Sequence, residues 1–368
     1  MARKHLTALC ELWMTVRAVF TKMYPDFILS GKMEKHELPI FVYHRIRPEE
    51  FEAQLIHLKR NDYQTLTGDA FYDILMGKSP LMKPSVMLTF DDGFEDAYRV
   101  AFPLIKEYSV HAVVYLIPGW VGREGMLTWD QIREMHESGW VDFQSHSMLH
   151  ASIFIGPELV DFYSPRHSRV RWNCPLNCEA GENRLNPYTR LGYPLFRSAS
   201  RLSNHRRFIP DERLNTQCAA IVESGAKDFI KRRNWKGQLV RCVKEFTENE
   251  EVGRYETEDE QFDAILLELR RSKEAMENRL AGKTIRHFAY PWLEYGDIAE
   301  RALKAVGFMT SAVGMLKERR SNTVGSSPWN LVRVNGDFVL TLPGEGRKRF
   351  LSILVSKMVR RLIWGEAY

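Results

Sequence analysis

Two adjacent carboxylates, Asp91 and Asp92, follow directly after the apolar segment Ser85–Phe90. Adjacent carboxylates raise each other's pKa unless a cation or hydrogen-bond donors compensate. A divalent metal ion would supply that cation, with one aspartate binding it and its neighbour free to act as a base. The alternative is a pair of turn residues, because Asp is common at helix N-caps and Gly93 suits a turn.

Two histidines, His146 and His150, stand four residues apart. This spacing brings side chains together on one helical turn and recurs in zinc sites. One aspartate with two histidines would leave coordination positions open for water and a substrate oxygen, which is typical of catalytic zinc rather than structural zinc. The pattern therefore predicts a catalytic metal site, and the alternative is a pair of structural histidines.

Predicted strands and helices alternate around these clusters. Short apolar runs predict strands over 40–44, 85–90, 112–117, 140–144, 285–290 and 331–334, and apolar residues at three- and four-residue steps predict helices over 48–58, 128–138, 258–280 and 297–306. Such alternation indicates βα units around a parallel sheet or barrel, in which the chemistry lies at the carboxyl ends of the strands. Both polar clusters follow predicted strands at that end.

Three segments, in this order, resemble the polysaccharide deacetylase family (carbohydrate esterase family 4, with its NodB-homology domain). They are Thr89-Phe90-Asp91-Asp92-Gly93, His146-Ser147-x-x-His150 and Phe288-Ala289-Tyr290-Pro291-Trp292. The pattern is most similar to the permuted poly-N-acetylglucosamine deacetylase-like subgroup. The resemblance implies an α/β fold, specifically a distorted (β/α)7-type barrel, here with a long insertion and extra terminal helices.

The resemblance also implies a role for each residue of these segments. Asp92, His146 and His150 would bind a divalent metal, with zinc as the default ion, and Asp91 would be the general base. Tyr290, Pro291 and Trp292 would contact the sugar. In the permuted subgroup an N-terminal tyrosine-histidine supplies the general acid, and Tyr43-His44 matches it, which nominates His44.

Two family features are missing from this chain. Ala289 stands where many members have an arginine that pairs with the catalytic aspartate, and residues 331–342 contain no histidine that could serve as the usual general acid. An ion pair that involves Arg286 or Arg333 could replace the missing arginine–aspartate pair, and the sequence leaves that open.

The predicted organisation is one catalytic domain with additions. Residues 1–37 form a helical extension, with a helix over 5–22, and residues 38–340 form the deacetylase domain with an insertion at about 152–256. Residues 341–368 form a basic amphipathic helix that could lie on an anionic membrane surface. Because Glu11 and Arg17 interrupt the apolar core that a signal peptide would need, we expect a cytoplasmic or membrane-peripheral protein.

Charge and composition bear on the partners. The 368 residues include 52 Lys and Arg against 47 Asp and Glu, a net charge of +5. This surplus is far below that of a dedicated nucleic-acid binder, so no nucleic-acid partner is predicted.

The sequence predicts removal of an acetyl group from an N-acetylated sugar of a polysaccharide, glycolipid or precursor. Two alternatives stay open. One is hydrolysis of a cyclic amide or ureide by the same fold, and the other is a glycan-binding module without catalysis.

Overall fold

The fold is taken from a computed structural model that describes residues 23–165, 190–225 and 229–364, with side chains described to residue 359. The predicted helix over 5–22 lies outside these residues. The described chain divides into two compact units, and the first comprises residues up to 146, residues 273–293 and residues from 307 onward. The second comprises 147–272, apart from the gaps, and 294–306.

The described residues form thirteen β-strands, numbered in chain order. They are β1 (Ile40–Tyr43), β2 (Gln64–Thr65), β3 (Ser85–Asp92), β4 (Ala112–Leu116), β5 (Val141–Ser145), β6 (Ser152–Phe162), β7 (Pro194–Ser200), β8 (Phe208–Pro210), β9 (Gly253–Tyr255), β10 (His287–Ala289), β11 (Thr310–Val313), β12 (Leu331–Val332) and β13 (Val334–Asn335).

The α-helices of the same ranges are numbered likewise. They are α1 (Asp26–Leu29), α2 (Pro48–Arg60), α3 (Gly68–Leu75), α4 (Phe102–Tyr108), α5 (Trp129–Glu137), α6 (Glu212–Ser224), α7 (Trp235–Asn249), α8 (Glu258–Glu277), α9 (Asp297–Val306) and α10 (Phe350–Trp364).

The first unit is built on one parallel sheet. Its strand order is β12-β11-β10-β5-β4-β3-β1-β13, and β2 also pairs with β3. The two end strands are consecutive in the chain, separated by Arg333 alone, so the sheet nearly closes on itself. The predicted α/β fold with a distorted (β/α)7-type barrel is confirmed.

Register brings the predicted site residues to one edge of this sheet. Asp91 pairs with Tyr115 and Asp92 with Leu116, and Leu116 in turn pairs with Ser145 at the end of β5. All eight residues of β3 are buried, as expected for a parallel strand covered on both faces. The residues after β3 and β5 therefore meet at the carboxyl end of the barrel.

Local sequence signals explain several element boundaries. Thr128 caps α5 in a capping box with Gln131, as its predicted position suggests. The chain after Gly93 begins its helix as a short π-helix over Ala97–Ala101 and continues as α4. The predicted last strand over 331–334 is instead two short strands, because Arg333 interrupts the pairing.

The second unit contains the segment predicted to be an insertion. Strand β6 pairs with β7 and β8 pairs with β9, both antiparallel. Helices α6 and α7 pack with these strands around an aromatic core that includes Phe154, Phe196 and Phe246. The unit thus has a hydrophobic core of its own. Across the described ranges, no helix combines the length and the apolar character that crossing a membrane requires.

A buried histidine joins the first turn of α3 to β10 and β11. The His287 side chain is 1% exposed, with Nε2 at 3.0 Å from Asp69 Oδ1 and Nδ1 at 3.0 Å from the Thr310 hydroxyl oxygen. Arg286 pairs with Asp69 at 3.1 Å. The hydrogen bond with His287 is the largest cause that lowers the pKa of Asp69 to about 2.

Replacing Asp69 with Asn is expected to destabilise the protein at neutral pH and much less in acid. The stabilisation is complete above the ordinary pKa of 3.8 and is lost as the pH falls through about 2, because the folded pKa is the lower one. The Asp69 side chain is 45% exposed. Solvent screening therefore limits the effect to about 1 kcal/mol. Urea unfolding of both proteins from pH 7 down to pH 3 measures the difference.

Asp73→Asn is the matched control. Asp73 lies on the same helix, its side chain is 46% exposed, and it faces Lys78 at 3.8 Å without a buried partner. Its substitution should have a smaller effect at neutral pH. A difference between wild type and Asp69→Asn that stays constant down to pH 3 would contradict the assigned interaction.

Candidate functional site

The turn after β3 places the two aspartates differently. Asp91 and Asp92 are the last two residues of β3. Asp91 is 2% exposed, whereas Asp92 is 8% exposed and has a φ of 70°. Gly93 follows with a φ of 83°, and a Cβ at that position would stand 2.5 Å from a Leu116 methyl carbon. A glycine is therefore favoured in the turn that follows the two carboxylates.

Arg333 holds Asp91 inside the barrel. Its Nη1 and Nη2 donate to the two carboxylate oxygens of Asp91 at 2.6 and 2.8 Å, and its side chain is 0% exposed. Longer contacts of 3.4 Å reach the Thr89 hydroxyl and the Val313 carbonyl. This is the bidentate geometry in which an arginine both neutralises and orients a carboxylate.

The two adjacent carboxylates have opposite pKa shifts. Burial is the largest single influence and would raise the pKa of Asp91, but the charge and hydrogen bonds of Arg333, together with His146 and His44, lower the value to about 2. Burial, followed by the charge of Asp91, raises the pKa of Asp92 to about 7. Asp91 is thus ionised throughout the neutral range, whereas the charged form of Asp92 would be favoured by an additional cation.

His146 is oriented by the backbone of the third motif. Its Nδ1 lies 2.7 Å from the Ala289 carbonyl oxygen, so Nδ1 carries the proton. Its Nε2 then presents a lone pair, 3.5 Å from Asp92 Oδ1. Burial is the largest cause that lowers the pKa of His146 to about 4, so the imidazole is neutral. A neutral histidine whose other ring nitrogen is held by a carbonyl has the form of a metal ligand.

His150 completes the group that could hold a metal. Ligand atoms from Asp92, His146 and His150 all lie within 4.8 Å of one another, and all three residues are buried. The Ser147 hydroxyl accepts a hydrogen bond from the His150 N–H at 2.9 Å. Ser147 and His150 have φ values of 67° and 54°, an uncommon conformation that this local bond helps to fix.

The residues present fit a divalent metal ion. Two imidazoles and one carboxylate are the donor types that zinc accepts in catalytic sites, and three protein ligands leave room for water. The tautomer of His146 and the raised pKa of Asp92 both fit a site that a cation would complete. The structure thus brings together all three residues that the sequence nominated as ligands.

His44 lies close enough to Asp91 for the two charges to interact. It follows β1 directly and is partly exposed. Burial lowers its pKa, while the charge of Asp91 raises it in part. The charge of His44 in turn acts on Asp91 and on His146. The nominated acid is therefore at the same edge as the nominated base.

The third motif has one buried and one exposed aromatic residue. Tyr290 is 0% exposed and packs edge-to-face on Phe288 at 5.3 Å. Pro291 is buried as well. Trp292 has a φ of 51° and is 37% exposed. Of the two aromatic side chains, Trp292 is the one that a sugar ring could contact in this arrangement.

The arginine that Ala289 fails to provide comes from another strand. Arg286, one candidate for that pairing, binds Asp69, whereas Arg333 pairs with Asp91. In the sequence, the only sign that Arg333 could pair with an aspartate is that it is a single charged residue inside the apolar run Leu331–Val334. A charge buried in a strand needs a partner, but the sequence does not say which of the acidic residues supplies it.

Comparison with known proteins points to one family. The family model for polysaccharide deacetylase matches residues 78–170, which include both aspartates and both histidines. YxkH of Bacillus subtilis (strain 168), whose name assigns it provisionally to the polysaccharide deacetylases, is 36% identical over 126 residues, 32% of this chain and 44% of that protein. A Staphylococcus aureus (strain MSSA476) protein named poly-beta-1,6-N-acetyl-D-glucosamine N-deacetylase is 34% identical over 137 residues, 36% of this chain and 44% of that protein.

The matched part covers less than half of the length of these two relatives. Among solved structures, a de-N-acetylase from Aggregatibacter actinomycetemcomitans is similar with a TM-score of 0.54 at 19% identity, over 81% of this chain and 94% of that chain. At this identity the likeness concerns the fold, and it agrees with the barrel described above.

Arg333→Met is expected to destabilise the protein by about 3–5 kcal/mol, because it leaves the Asp91 carboxylate buried without its partner. Combining it with Asp91→Leu should restore much of the loss, since both charges are then removed. Denaturant unfolding of the single and double variants measures this coupling.

Arg286→Met is the control for this experiment. Arg286 forms its ion pair with Asp69 at 3.1 Å between side chains that are 42% and 45% exposed. Its removal should cost about 1 kcal/mol or less. Equal costs for Arg333→Met and Arg286→Met would contradict the dominant role of the buried pair.

Proposed function

We propose that the chain is a member of the polysaccharide deacetylase family and a metal-dependent N-deacetylase acting on an N-acetylated sugar of a polysaccharide, glycolipid or precursor. The observation that carries the proposal is the convergence of Asp92, His146 and His150 beside the Asp91–Arg333 pair. Poly-β-1,6-N-acetylglucosamine is the first substrate to test, because the S. aureus relative is named for it.

Zinc is the ion that we propose for Asp92, His146 and His150. When bound, it would supply Lewis-acid polarisation of the acetyl carbonyl and of a water molecule. The chain's own contribution is to keep His146 neutral and oriented through the Ala289 carbonyl and to hold the three donors in a buried group. This arrangement reduces the reorganisation that the site needs when the ion binds.

Asp91 is proposed to accept the proton of the attacking water. Arg333 keeps its carboxylate charged and fixes its orientation, so the base is always in the correct form at neutral pH. The same pair lowers the basicity of Asp91, with a pKa of about 2. Proton transfer to Asp91 therefore depends on a water molecule that is itself more acidic than bulk water.

His44 is proposed to deliver a proton to the leaving amine. Burial lowers its pKa, so the resting imidazole is mostly neutral at pH 7. The proton that it passes on would be the one that Asp91 takes from the attacking water, and the charge that Asp91 regains favours the protonated form of His44. Trp292, which is partly exposed, would pack against the sugar ring, whereas Tyr290 is buried.

Acetate release from N-acetylglucosamine oligomers tests the proposal. The protein with Zn²⁺ should release acetate, and chelation or Asp92→Ala should abolish the release, because the ion loses a ligand or is removed. His44→Ala should retain zinc but lower kcat by about 10²–10⁴-fold, the usual contribution of an acid–base group. Zinc content is measured on the same samples.

Exposed Asp73→Ala is the control, since it leaves the site unchanged. Acetate release that survives both chelation and Asp92→Ala would overturn the metal mechanism. Sugar binding without any release would indicate a glycan-binding module, and release of product from a cyclic ureide alone would indicate the cyclic amide reaction.

We further propose that the protein is peripheral to a membrane and that α10 lies on an anionic lipid surface. Four apolar side chains on one side of this helix are exposed: Leu351 (71%), Val355 (59%), Met358 (41%) and Val359 (46%). Residues 347–361 include six Lys and Arg and no Asp or Glu. An apolar face flanked by basic residues is complementary to anionic headgroups above an apolar layer.

Vesicle co-sedimentation measures this contact. Wild type should bind vesicles that contain phosphatidylglycerol more strongly than vesicles of phosphatidylcholine alone, and Val355→Glu should reduce the binding. Val240→Glu is the matched control, because Val240 is 49% exposed on α7. Binding that ignores lipid charge, or that Val240→Glu weakens as much as Val355→Glu, would contradict the proposal.

A further inference from the structure

Two cysteines lie opposite each other where two helices of the second unit pack together. Cys218 is near the middle of α6, and Cys242 is near the middle of α7. Their Sγ atoms are 3.9 Å apart, although the residues are 24 positions apart in the chain, and both thiols are free. The contact therefore arises from the packing of α6 on α7 and not from a local motif.

The distance between the two sulfurs suits a disulfide. An S–S bond is about 2.0 Å long, so the two sulfurs must approach each other by about 2 Å. Rotation about the Cα–Cβ bond of a cysteine, from one staggered rotamer to another, supplies motion of this size. A disulfide is therefore within reach of the two side chains.

The core of the second unit holds both helices on either side of the thiols. Cys218 is 0% exposed and is itself part of that core, and Cys242 packs against it. Buried apolar residues about one turn before and one turn after each cysteine belong to the same core: Leu214, Val222, Leu239 and Phe246. Because the helices are fixed at these points, the two sulfurs stay close together as long as the unit is folded.

Metal binding explains the pair less well than a disulfide does. A structural zinc ion needs four protein ligands. Beside the two sulfurs stands only an amide oxygen, Oε1 of Gln217, which is 3.9 Å from the Sγ atom of Cys242. In the ranges that the structure describes, three or more His, Cys, Asp or Glu ligands converge at Asp92, His146 and His150 and not at the cysteines.

The two thiols differ in their access to a reagent. Cys242 is partly exposed, whereas Cys218 is buried. The Cys242 thiolate would attack one sulfur of a low-molecular-weight disulfide, such as oxidised glutathione, and one glutathione thiol would leave. The Cys218 thiolate would then attack the Sγ atom of Cys242 and release the second glutathione as a thiol. The oxidant thus takes up the two electrons and two protons that the protein thiols lose.

We propose that Cys218 and Cys242 form a redox modification site, in which a disulfide made by exchange with a low-molecular-weight disulfide joins α6 to α7 and stabilises the second unit. This inference concerns a unit with its own core, and it does not rest on the metal site or on the proposed activity. Burial raises the pKa of both thiols, so the exchange should be slow at neutral pH.

Peptide mapping of the whole protein tests the bond. The protein is incubated with oxidised glutathione, alkylated under denaturing conditions and digested with trypsin, which cuts between the two cysteines after Lys227 and after Arg241. We expect a linked pair of peptides that contain Cys218 and Cys242, two hydrogen atoms lighter than the two free peptides together. Dithiothreitol should separate them.

A variant without the other cysteines is the matched control. The chain has five cysteines, and Cys10→Ser, Cys174→Ser and Cys178→Ser together leave only the proposed pair. This variant should form the same linked peptides. Cys242→Ser should lose them, and Cys218→Ala should lose them as well, so the test does not depend on the folding of a single variant.

Thermal unfolding measures the effect of the bond. Oxidised wild type should unfold at a temperature about 5 °C higher than the reduced protein, because the bond limits the freedom of the unfolded chain. Cys242→Ser should show no such shift.

Three results would overturn the inference. One is that both cysteines are still alkylated after oxidation, and another is that either of them is linked to a different cysteine or keeps a bound glutathione. The third is a linked pair whose unfolding temperature does not change on reduction.

Discussion

A buried guanidinium and a buried carboxylate meet at the point where the barrel closes. Arg333 is the single residue between the two end strands of the sheet, and Asp91 lies in the buried strand β3, which is third from the β13 end of the strand order. Their bidentate contact compensates two charges that would each be costly inside the protein. The same contact therefore contributes to closing the barrel and to fixing the nominated base.

This pair also makes the two adjacent aspartates chemically different. With Arg333 on Asp91 only, one carboxyl has a pKa of about 2 and the next a pKa of about 7. The first is a permanently charged acceptor, and the second gains from a bound cation. Two like residues in one turn can thus take separate roles without any difference in side-chain chemistry.

The sequence predicted the barrel and nominated three residues that the structure groups together, because both predictions depend on local patterns. Buried parallel strands appear as apolar runs, and His146 and His150 are only four residues apart. The partner of Asp91 was beyond such patterns, because Arg333 is 242 residues away from it in the chain. The antiparallel strands of the second unit, such as β6 with its register shifts, also lack a clean alternating pattern.

The proposed mechanism depends most on one zinc ion bound by Asp92, His146 and His150, with the Asp91–Arg333 pair intact beside it. Anomalous diffraction at the zinc edge, from crystals grown with Zn²⁺, measures this directly. We predict a single strong peak within bonding distance of Asp92, His146 and His150, with Asp91 still paired to Arg333. A peak elsewhere, or one in which Asp91 leaves Arg333 to become a ligand, would contradict the account.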